Sequence, residues 1–136
     1  MYDNILYEYE LSDDFIDSLE NELRIKSTDV YKSDDTCLLV ALPRSDEENK
    51  KVYQNRACIK DKLPIPFFKN GKASTFSGLP QGFNVYILEV HAGLYRKTKY
   101  DLIPNTIMPS KWQNGYSRGV AISKQKSTVI YWSAIW

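Results

Sequence analysis

The first pattern in the chain is an alternation of side chains over residues 4–11. Apolar and aromatic residues occupy one face, at Ile5, Tyr7, Tyr9 and Leu11. The other face is mixed, with Leu6, Glu8 and Glu10. A period of two is typical of a β-strand with one face against a core. The pattern therefore predicts a half-buried strand over 4–11.

A helical pattern follows this strand. Ser12 precedes Asp13 and Asp14, an N-cap with acids in the first turn, where the helix dipole favours negative charge. Apolar residues then recur at helical spacing, at Phe15, Ile16, Leu19 and Leu23. We expect an amphipathic helix over residues 13–24. Its outer face would carry the acids Asp13, Asp14, Asp17, Glu20 and Glu22.

The middle of the chain is less regular. Residues 37–42 form an apolar run that predicts a buried strand, ended by Pro43. Ser45 and Glu48 have capping-box spacing, which favours a helix from about 46 to 58, and a strand over 52–60 is the alternative. Alternate prolines in residues 63–68 cannot continue either element and fix an extended backbone. The chain is then loop-like as far as Gly82.

The second half of the chain is dominated by strand patterns. Residues 83–91 alternate, with Val85, Ile87 and Glu89 on one face, and Gly93 ends this strand. Residues 116–123 and 128–135 are rich in β-branched and aromatic side chains and form a long hairpin candidate. Both faces of its second arm are apolar, which predicts a central position in the sheet.

These elements together predict a single α+β domain over residues 1–136. It would contain an antiparallel-rich sheet, one or two helices in the N-terminal half and a long C-terminal β-hairpin. The length of 136 residues suits one domain, and 43% hydrophobic residues indicate a globular chain. No apolar run reaches the length of a membrane-spanning helix, and the first residues do not have the pattern of a secretory signal, so we expect no membrane partner.

Charge is unevenly distributed along the chain. The net charge is only +1, but residues 1–50 hold 14 acids and 5 bases, whereas residues 51–136 hold 3 acids and 13 bases. A nucleic-acid-binding domain is usually clearly basic as a whole. The near-neutral total therefore argues against simple nucleic-acid binding and leaves a charged region for a partner.

The sequence contains few candidates for metal or redox chemistry. Cys37 and Cys58 are 21 residues apart with no CxxC motif, and two free thiols in a reducing cytoplasm are favoured over a disulfide. His91 is the only histidine, which excludes sites that need two histidine ligands. We expect a cytoplasmic protein without a metal or other cofactor.

Two charged regions are candidate sites. The acids of the predicted helix and of the following capping box could occupy the basic groove of a nuclease by imitating phosphates; these partner-binding candidates are Asp13, Asp14, Asp17, Glu20, Asp46, Glu47 and Glu48. Neutralisation of these acids by the basic elements of the same domain is the alternative.

The second region interleaves bases with aromatic side chains, the mixture that phosphate neutralisation and base stacking require. Its candidate residues are His91, Tyr95, Lys97, Lys99 and Arg118. They would serve a small metal-independent RNase or an RNA-binding domain, and Glu89 lies on the same strand face as His91 as a possible acid–base partner. A solvated basic face is the alternative explanation.

Two segments of the C-terminal part of the chain carry a family resemblance. They are Met108–Ser123, which includes Lys111-Trp112-Gln113-Asn114-Gly115-Tyr116-Ser117-Arg118-Gly119-Val120-Ala121, and Val129-Ile130-Tyr131-Trp132. Through them the chain resembles, over roughly residues 78–136, small immunity proteins of bacterial contact-dependent growth inhibition and related polymorphic toxin systems. It implies a cytoplasmic protein that is not an enzyme. Such a protein binds a cognate toxin domain, often a nuclease, and blocks its active site.

Overall fold

The computed structural model describes residues 3–41, 57–68, 75–95 and 108–136. Within these ranges the chain forms one helix and seven strands. In chain order they are β1 (Asp3–Glu10), α1 (Asp13–Lys26), β2 (Asp29–Lys32), β3 (Leu39–Ala41), β4 (Pro64–Pro66), β5 (Asn84–Ala92), β6 (Gly115–Ser123) and β7 (Thr128–Ile135). Two short 3₁₀ turns lie at Ala57–Ile59 and Ser110–Trp112. The predicted α+β class of one small, sheet-rich domain is confirmed.

The main sheet has five strands in the order β1-β7-β6-β5-β2, and every neighbouring pair is antiparallel. The predicted C-terminal hairpin is β6 and β7, and β7 lies between β1 and β6, as its two apolar faces require. The short strands β3 and β4 pair in parallel as a separate two-stranded sheet. The extended backbone predicted around the prolines therefore also takes part in a strand.

The two faces of the main sheet bury different cores. Helix α1 covers one face, where Ile16 and Leu23 pack on a small cluster that includes Tyr86, Val120 and Val129. The other face carries the larger core, into which β3, β4 and the loops pack. All three tryptophans, Trp112, Trp132 and Trp136, belong to this larger core. The tryptophans are therefore structural residues.

Helix α1 begins as the sequence predicts, but its faces differ from the prediction. The side-chain oxygen of Ser12 accepts a hydrogen bond from the backbone N–H of Phe15. Glu20, which was expected on the outer face, is buried and accepts a hydrogen bond of 2.9 Å from the hydroxyl of Tyr86. Phe15, which was expected against the core, is half exposed. The hydroxyl of Tyr86 explains the first difference, because it satisfies a carboxylate that burial would otherwise destabilise.

Strand β1 is present where it was predicted, but the expected half-burial is wrong. Ile5, Tyr7 and Tyr9 are 53%, 59% and 49% exposed. The strand is at the edge of the sheet and α1 packs over β5, β6 and β7, so the helix does not cover the apolar positions of β1. The apolar face of β1, which the sequence predicts to be buried, is therefore exposed to solvent.

A β-bulge in β5 changes the faces predicted for that strand. The register with β6 shifts between Ile87 and Glu89. Val85 and Ile87 face the larger core, whereas Glu89 stands opposite Arg118, on the side of the sheet that carries α1. The predicted common face of Val85, Ile87 and Glu89 is therefore wrong, but Glu89 and His91 do share a face. A bulge re-aims the side chains that follow it, and here it turns a carboxylate away from the core.

Small residues alternate along β6 because tryptophan rings lie over them. A Cβ on Gly119 would stand 2.4 Å from the Trp132 ring, and one on Gly115 would stand 2.6 Å from the Trp136 ring. Ser117, between the two glycines, accepts a hydrogen bond from the Trp132 indole at 3.3 Å. The small residues of the segment Gly115–Ala121 therefore make room for two buried indoles.

The prediction of two free thiols is wrong, because Cys37 and Cys58 are joined by a disulfide with a Cα–Cα distance of 5.7 Å. Cys37 lies just before the buried strand β3, and Cys58 lies in the 3₁₀ turn Ala57–Ile59 before β4. The parallel pairing of β3 with β4 brings the two segments together, which a separation of 21 residues does not reveal. Of the helix or strand predicted between 46 and 60, residues 46–56 lie outside the described ranges.

No helix within the described ranges has both the length and the apolar character needed to cross a bilayer.

Candidate functional site

Part of the sheet face that carries α1 extends beyond the small cluster on which the helix packs, and Tyr131 lies at the border, packed against that cluster. We call this region the open face and define it by residues of β1, β5, β6 and β7 that the strand register places on the α1 side. Its members are Ile5, Tyr7, Tyr9, Glu89, His91, Tyr116, Arg118 and Tyr131. Sheet faces left open by a helix expose a row of alternate side chains, so this region is a candidate contact surface.

An ion pair lies in the centre of the open face. Nε of Arg118 donates to a carboxylate oxygen of Glu89 at 2.7 Å, and both side chains are 45% exposed. This hydrogen bond is the main reason why the pKa of Glu89 is lowered, and the charges of Arg118 and His91 and a hydrogen bond with Tyr116 act in the same direction. The pair therefore presents a charge-neutral polar centre at neutral pH.

Tyrosines surround the ion pair on both sides. Tyr95 packs beside Tyr116 with ring centroids 5.6 Å apart, and Tyr9 meets the edge of Tyr131 at 6.0 Å. Burial is the main cause that raises the pKa of both Tyr116 and Tyr131, so their hydroxyls stay protonated at neutral pH. A phenol ring with a protonated hydroxyl offers apolar area together with a hydrogen-bond donor.

A cleft of about 560 Å³ runs between α1 and the open face. The helix contributes Leu19, Glu22, Leu23 and Lys26 to its wall. The sheet contributes Glu89, Arg118, Tyr131 and Ser133. The cleft thus combines apolar walls with the ion pair, and Tyr131 belongs both to its wall and to the open face.

The acidic candidates of the helix are partly neutralised within the domain. Asp17 forms an ion pair of 2.6 Å with Lys124, and the pKa of Lys124 is raised by this hydrogen bond and charge. Asp13 accepts a hydrogen bond from the hydroxyl of Ser127, whereas Asp14 is exposed. The buried Glu20 contacts Arg24 at 3.5 Å besides Tyr86. Self-neutralisation, the alternative left open by the sequence, therefore accounts for part of this acidic set.

The remaining acidic candidates, Asp46, Glu47 and Glu48, lie outside the described residues, as do Lys97 and Lys99 of the basic set.

The structure brings the other basic and aromatic candidates together. His91 is opposite Tyr116 in the strand register, Tyr95 packs beside that tyrosine, and Arg118 is two residues further along β6. Sequence reasoning placed Glu89 beside His91 but missed Tyr7, Tyr9, Tyr116 and Tyr131 as parts of the same surface. The alternation of residues in β6 could have indicated this surface. Its small residues occupy the core face of the strand, so Tyr116 and Arg118 must lie on the opposite face.

Among the described residues, no group of three or more histidine, cysteine, aspartate or glutamate side chains is arranged to hold a metal ion. The chain matches no protein-family model, and neither the curated proteins nor the solved structures include a significant match to it.

Proposed function

We propose that the chain is an immunity protein, which binds a cognate bacterial toxin domain and blocks its active site without catalysing a reaction. The function is the one implied by the resemblance of the C-terminal part to such proteins. The observation that carries it is the open face, where exposed tyrosines and an isoleucine surround a neutral ion pair.

The composition of the open face suits a protein–protein interface. Tyrosine and arginine are enriched where binding energy concentrates, and contiguous apolar area on a small domain marks interaction sites. Tyr7, Tyr9 and Tyr95 are each about half exposed or more, so they remain available for contact. Rigid rings held on strands lose little conformational entropy on binding.

The acidic N-terminal half has a second role in this proposal. Exposed acids such as Asp14 and Glu10 would attract a basic toxin and raise the rate of encounter, because charge complementarity acts mainly on association. A nuclease is the toxin class that such charge favours. A cytoplasmic location completes the proposal, but the Cys37–Cys58 disulfide counts against it, since disulfides persist mainly in oxidising compartments.

Truncation of Tyr9, which belongs to the open face, and of Tyr95, which packs beside Tyr116 at its margin, tests the proposal. We expect Tyr9→Ala and Tyr95→Ala each to weaken binding of the toxin encoded by the adjacent gene by about tenfold or more, the loss typical of an interface hot spot. Binding would be measured by calorimetry with purified toxin domain, and protection by survival of cells that express it. Ile25→Ala is the matched control, because Ile25 is 85% exposed on α1 and lies outside the open face.

Unchanged affinity in both tyrosine variants would move the interface away from the open face. Absence of any complex, together with absence of protection by the wild-type protein, would reject the immunity function itself.

A second candidate, a small metal-independent RNase, is favoured by the grouping of Glu89, His91, Tyr116 and Arg118. In this reaction Glu89 would take the proton of a ribose 2′-hydroxyl as its oxygen bonds to phosphorus, and His91 would protonate the 5′-oxygen as the bond from phosphorus to that oxygen breaks, which leaves a 2′,3′-cyclic phosphate. Arg118 would stabilise the phosphate charge. Because the pKa of Glu89 is lowered, its carboxylate stays in the base form at neutral pH.

Cleavage of single-stranded RNA by the pure protein tests this candidate. We expect activity to be lost in Glu89→Gln and Arg118→Ala, and to fall as the pH is lowered through the pKa of Glu89, since protonation removes the base. Ile25→Ala again serves as the control. An intact RNA substrate at every pH, with no salt-dependent binding of RNA, would eliminate both the RNase and the RNA-binding alternative.

A further inference from the structure

The outer edge of β1 is a long, regular strand edge whose charged side chains, such as Glu8 and Glu10, are all acids. The strand pairs with β7 over eight consecutive residues without a register shift, and its sequence contains no proline and no lysine. Natural edge strands are normally kept from pairing by such residues, by bulges or by short length. Among the described residues, β7 is the only strand that pairs with β1.

The backbone groups that point away from β7 can be assigned from the register. Leu11 stands opposite Ser127 and donates its N–H to the carbonyl of that residue at 2.9 Å. In antiparallel pairing the bonded positions alternate, so odd-numbered residues of β1 bond β7. The N–H and C=O groups of Asn4, Leu6, Glu8 and Glu10 therefore point outward at the edge, where no other described strand pairs with them.

We propose that two copies of the chain associate through this edge, β1 against β1 in antiparallel orientation, to form one continuous ten-stranded sheet. Two equivalent strands paired in this way are related by a two-fold axis, which is the commonest symmetry of soluble oligomers. This inference does not depend on the proposed function. It leaves the open faces of both copies on the same side of the extended sheet.

Charge and hydrogen bonding determine which residues of the two β1 strands stand opposite each other in the proposed dimer. With Tyr7 opposite Tyr7 of the second copy, all outward groups are bonded, since Leu6 is paired with Glu8 and Asn4 with Glu10. Centring the pair on Glu8 would place two carboxylates opposite each other, which is destabilising. Centring it on Leu6 would leave the outward groups of Glu10 without a partner among the residues of β1, Asp3–Glu10.

The side chains of the selected register also match. Tyr7 is paired with Tyr7, and Ile5 with Tyr9, so exposed aromatic and aliphatic side chains become cross-strand neighbours. The contact joins two single strands and is smaller than an obligate interface. We therefore expect a reversible dimer with a dissociation constant in the micromolar range.

Charge substitutions at neighbouring positions test both the dimer and its register. Tyr7→Lys places two lysines opposite each other on the two-fold axis, so we expect the dissociation constant to rise at least tenfold. Leu6→Lys is the matched control, because its lysine would stand opposite Glu8 of the second copy and the dimer should persist. Sedimentation velocity over about 1–500 µM, a range that brackets a micromolar constant, measures both variants, and circular dichroism checks that each remains folded.

Cysteine cross-linking gives an independent readout. Opposed residues of a non-hydrogen-bonded pair have Cα atoms about 4.5 Å apart, within the range of a disulfide. Tyr7→Cys should therefore form covalent dimers under mild oxidation, whereas Ile5→Cys, whose partner is residue 9, should not.

A wild-type chain that remains monomeric over the whole range overturns the proposal. A dimer that responds equally to both lysine variants, or cross-links equally through both cysteines, overturns the register. If the β1 amides became protected from hydrogen exchange only on addition of toxin, the edge would belong to the toxin and the proposed dimer would be wrong.

Discussion

Replacement of Gly119 by alanine is expected to destabilise the protein by about 3 kcal/mol or more, or to prevent folding. The added Cβ would lie 2.1 Å from the backbone carbonyl oxygen of Tyr86 and 2.4 Å from the Trp132 ring. The first contact is with backbone of the neighbouring strand, so rotation of a side chain cannot relieve it. Urea denaturation followed by tryptophan fluorescence would measure the loss.

Ser117→Ala is the matched control for Gly119→Ala. Ser117 lies on the same strand and the same face, and the substitution removes only the hydrogen bond that its hydroxyl accepts from the Trp132 indole. We expect a loss of about 1 kcal/mol. Equal stability of Gly119→Ala and the wild type would mean that β5 and β6 can separate locally, contrary to the close approach of Gly119 to the backbone of Tyr86.

The hairpin and the helix could be predicted because residues close together in the sequence determine them. The hairpin of β6 and β7 follows from two β-rich runs with a short polar connection, and α1 follows from Ser12 and the apolar spacing after it. In each case neighbouring residues determine the structure through turn chemistry, capping and periodicity. These are the interactions that a single sequence records directly.

The exposure of β1 could not be predicted because it depends on where α1 lies. Alternation indicates a strand with one apolar face, but burial of that face requires another element to cover it. The helix packs on Tyr86, Val120 and Val129 instead, near the centre of the sheet. The apolar positions of β1 are therefore left exposed.

The candidate site was only half predicted for a related reason. Its bases and His91 were recognised by residue type, whereas the facing of Glu89 depends on a bulge that leaves no periodic signal. The acids of α1 had the right composition for a partner surface, but Lys124 and Arg24 neutralise some of them. The distribution of charge along the sequence does not show which acids and bases from distant segments, such as Asp17 and Lys124, form ion pairs in the fold.

The segment with the family resemblance divides between the two faces of β6. Gly115, Ser117 and Gly119 accommodate the tryptophan rings of the core, whereas Tyr116 and Arg118 belong to the open face. The residues of this segment therefore serve two purposes. One set allows the core to pack, and the other set forms part of a candidate binding surface. If the proposed binding function holds, substitutions of the core-facing residues should lower stability, and substitutions of Tyr116 or Arg118 should lower affinity for the partner.

Removal of the Cys37–Cys58 disulfide is the other change for which we expect a large effect. A cross-link between residues 21 apart restricts the unfolded chain, and the chain-entropy estimate for a loop of that length is about 3 kcal/mol. The variant Cys37→Ser with Cys58→Ser should lose this amount in urea denaturation. Reduction of the wild-type protein should produce the same loss.

The reductant itself provides the control, because it should leave the double variant unchanged. If oxidised and reduced wild type were equally stable, the pairing of β3 with β4 would hold these segments together without the cross-link. Alkylation of free thiols in intact cells would show whether Cys37 and Cys58 are reduced or oxidised there, and so which kind of compartment holds the protein. A reduced protein in the cytoplasm would have to function without about 3 kcal/mol of its stability, whereas an oxidised one would place its site of action in an oxidising compartment and contradict the cytoplasmic proposal.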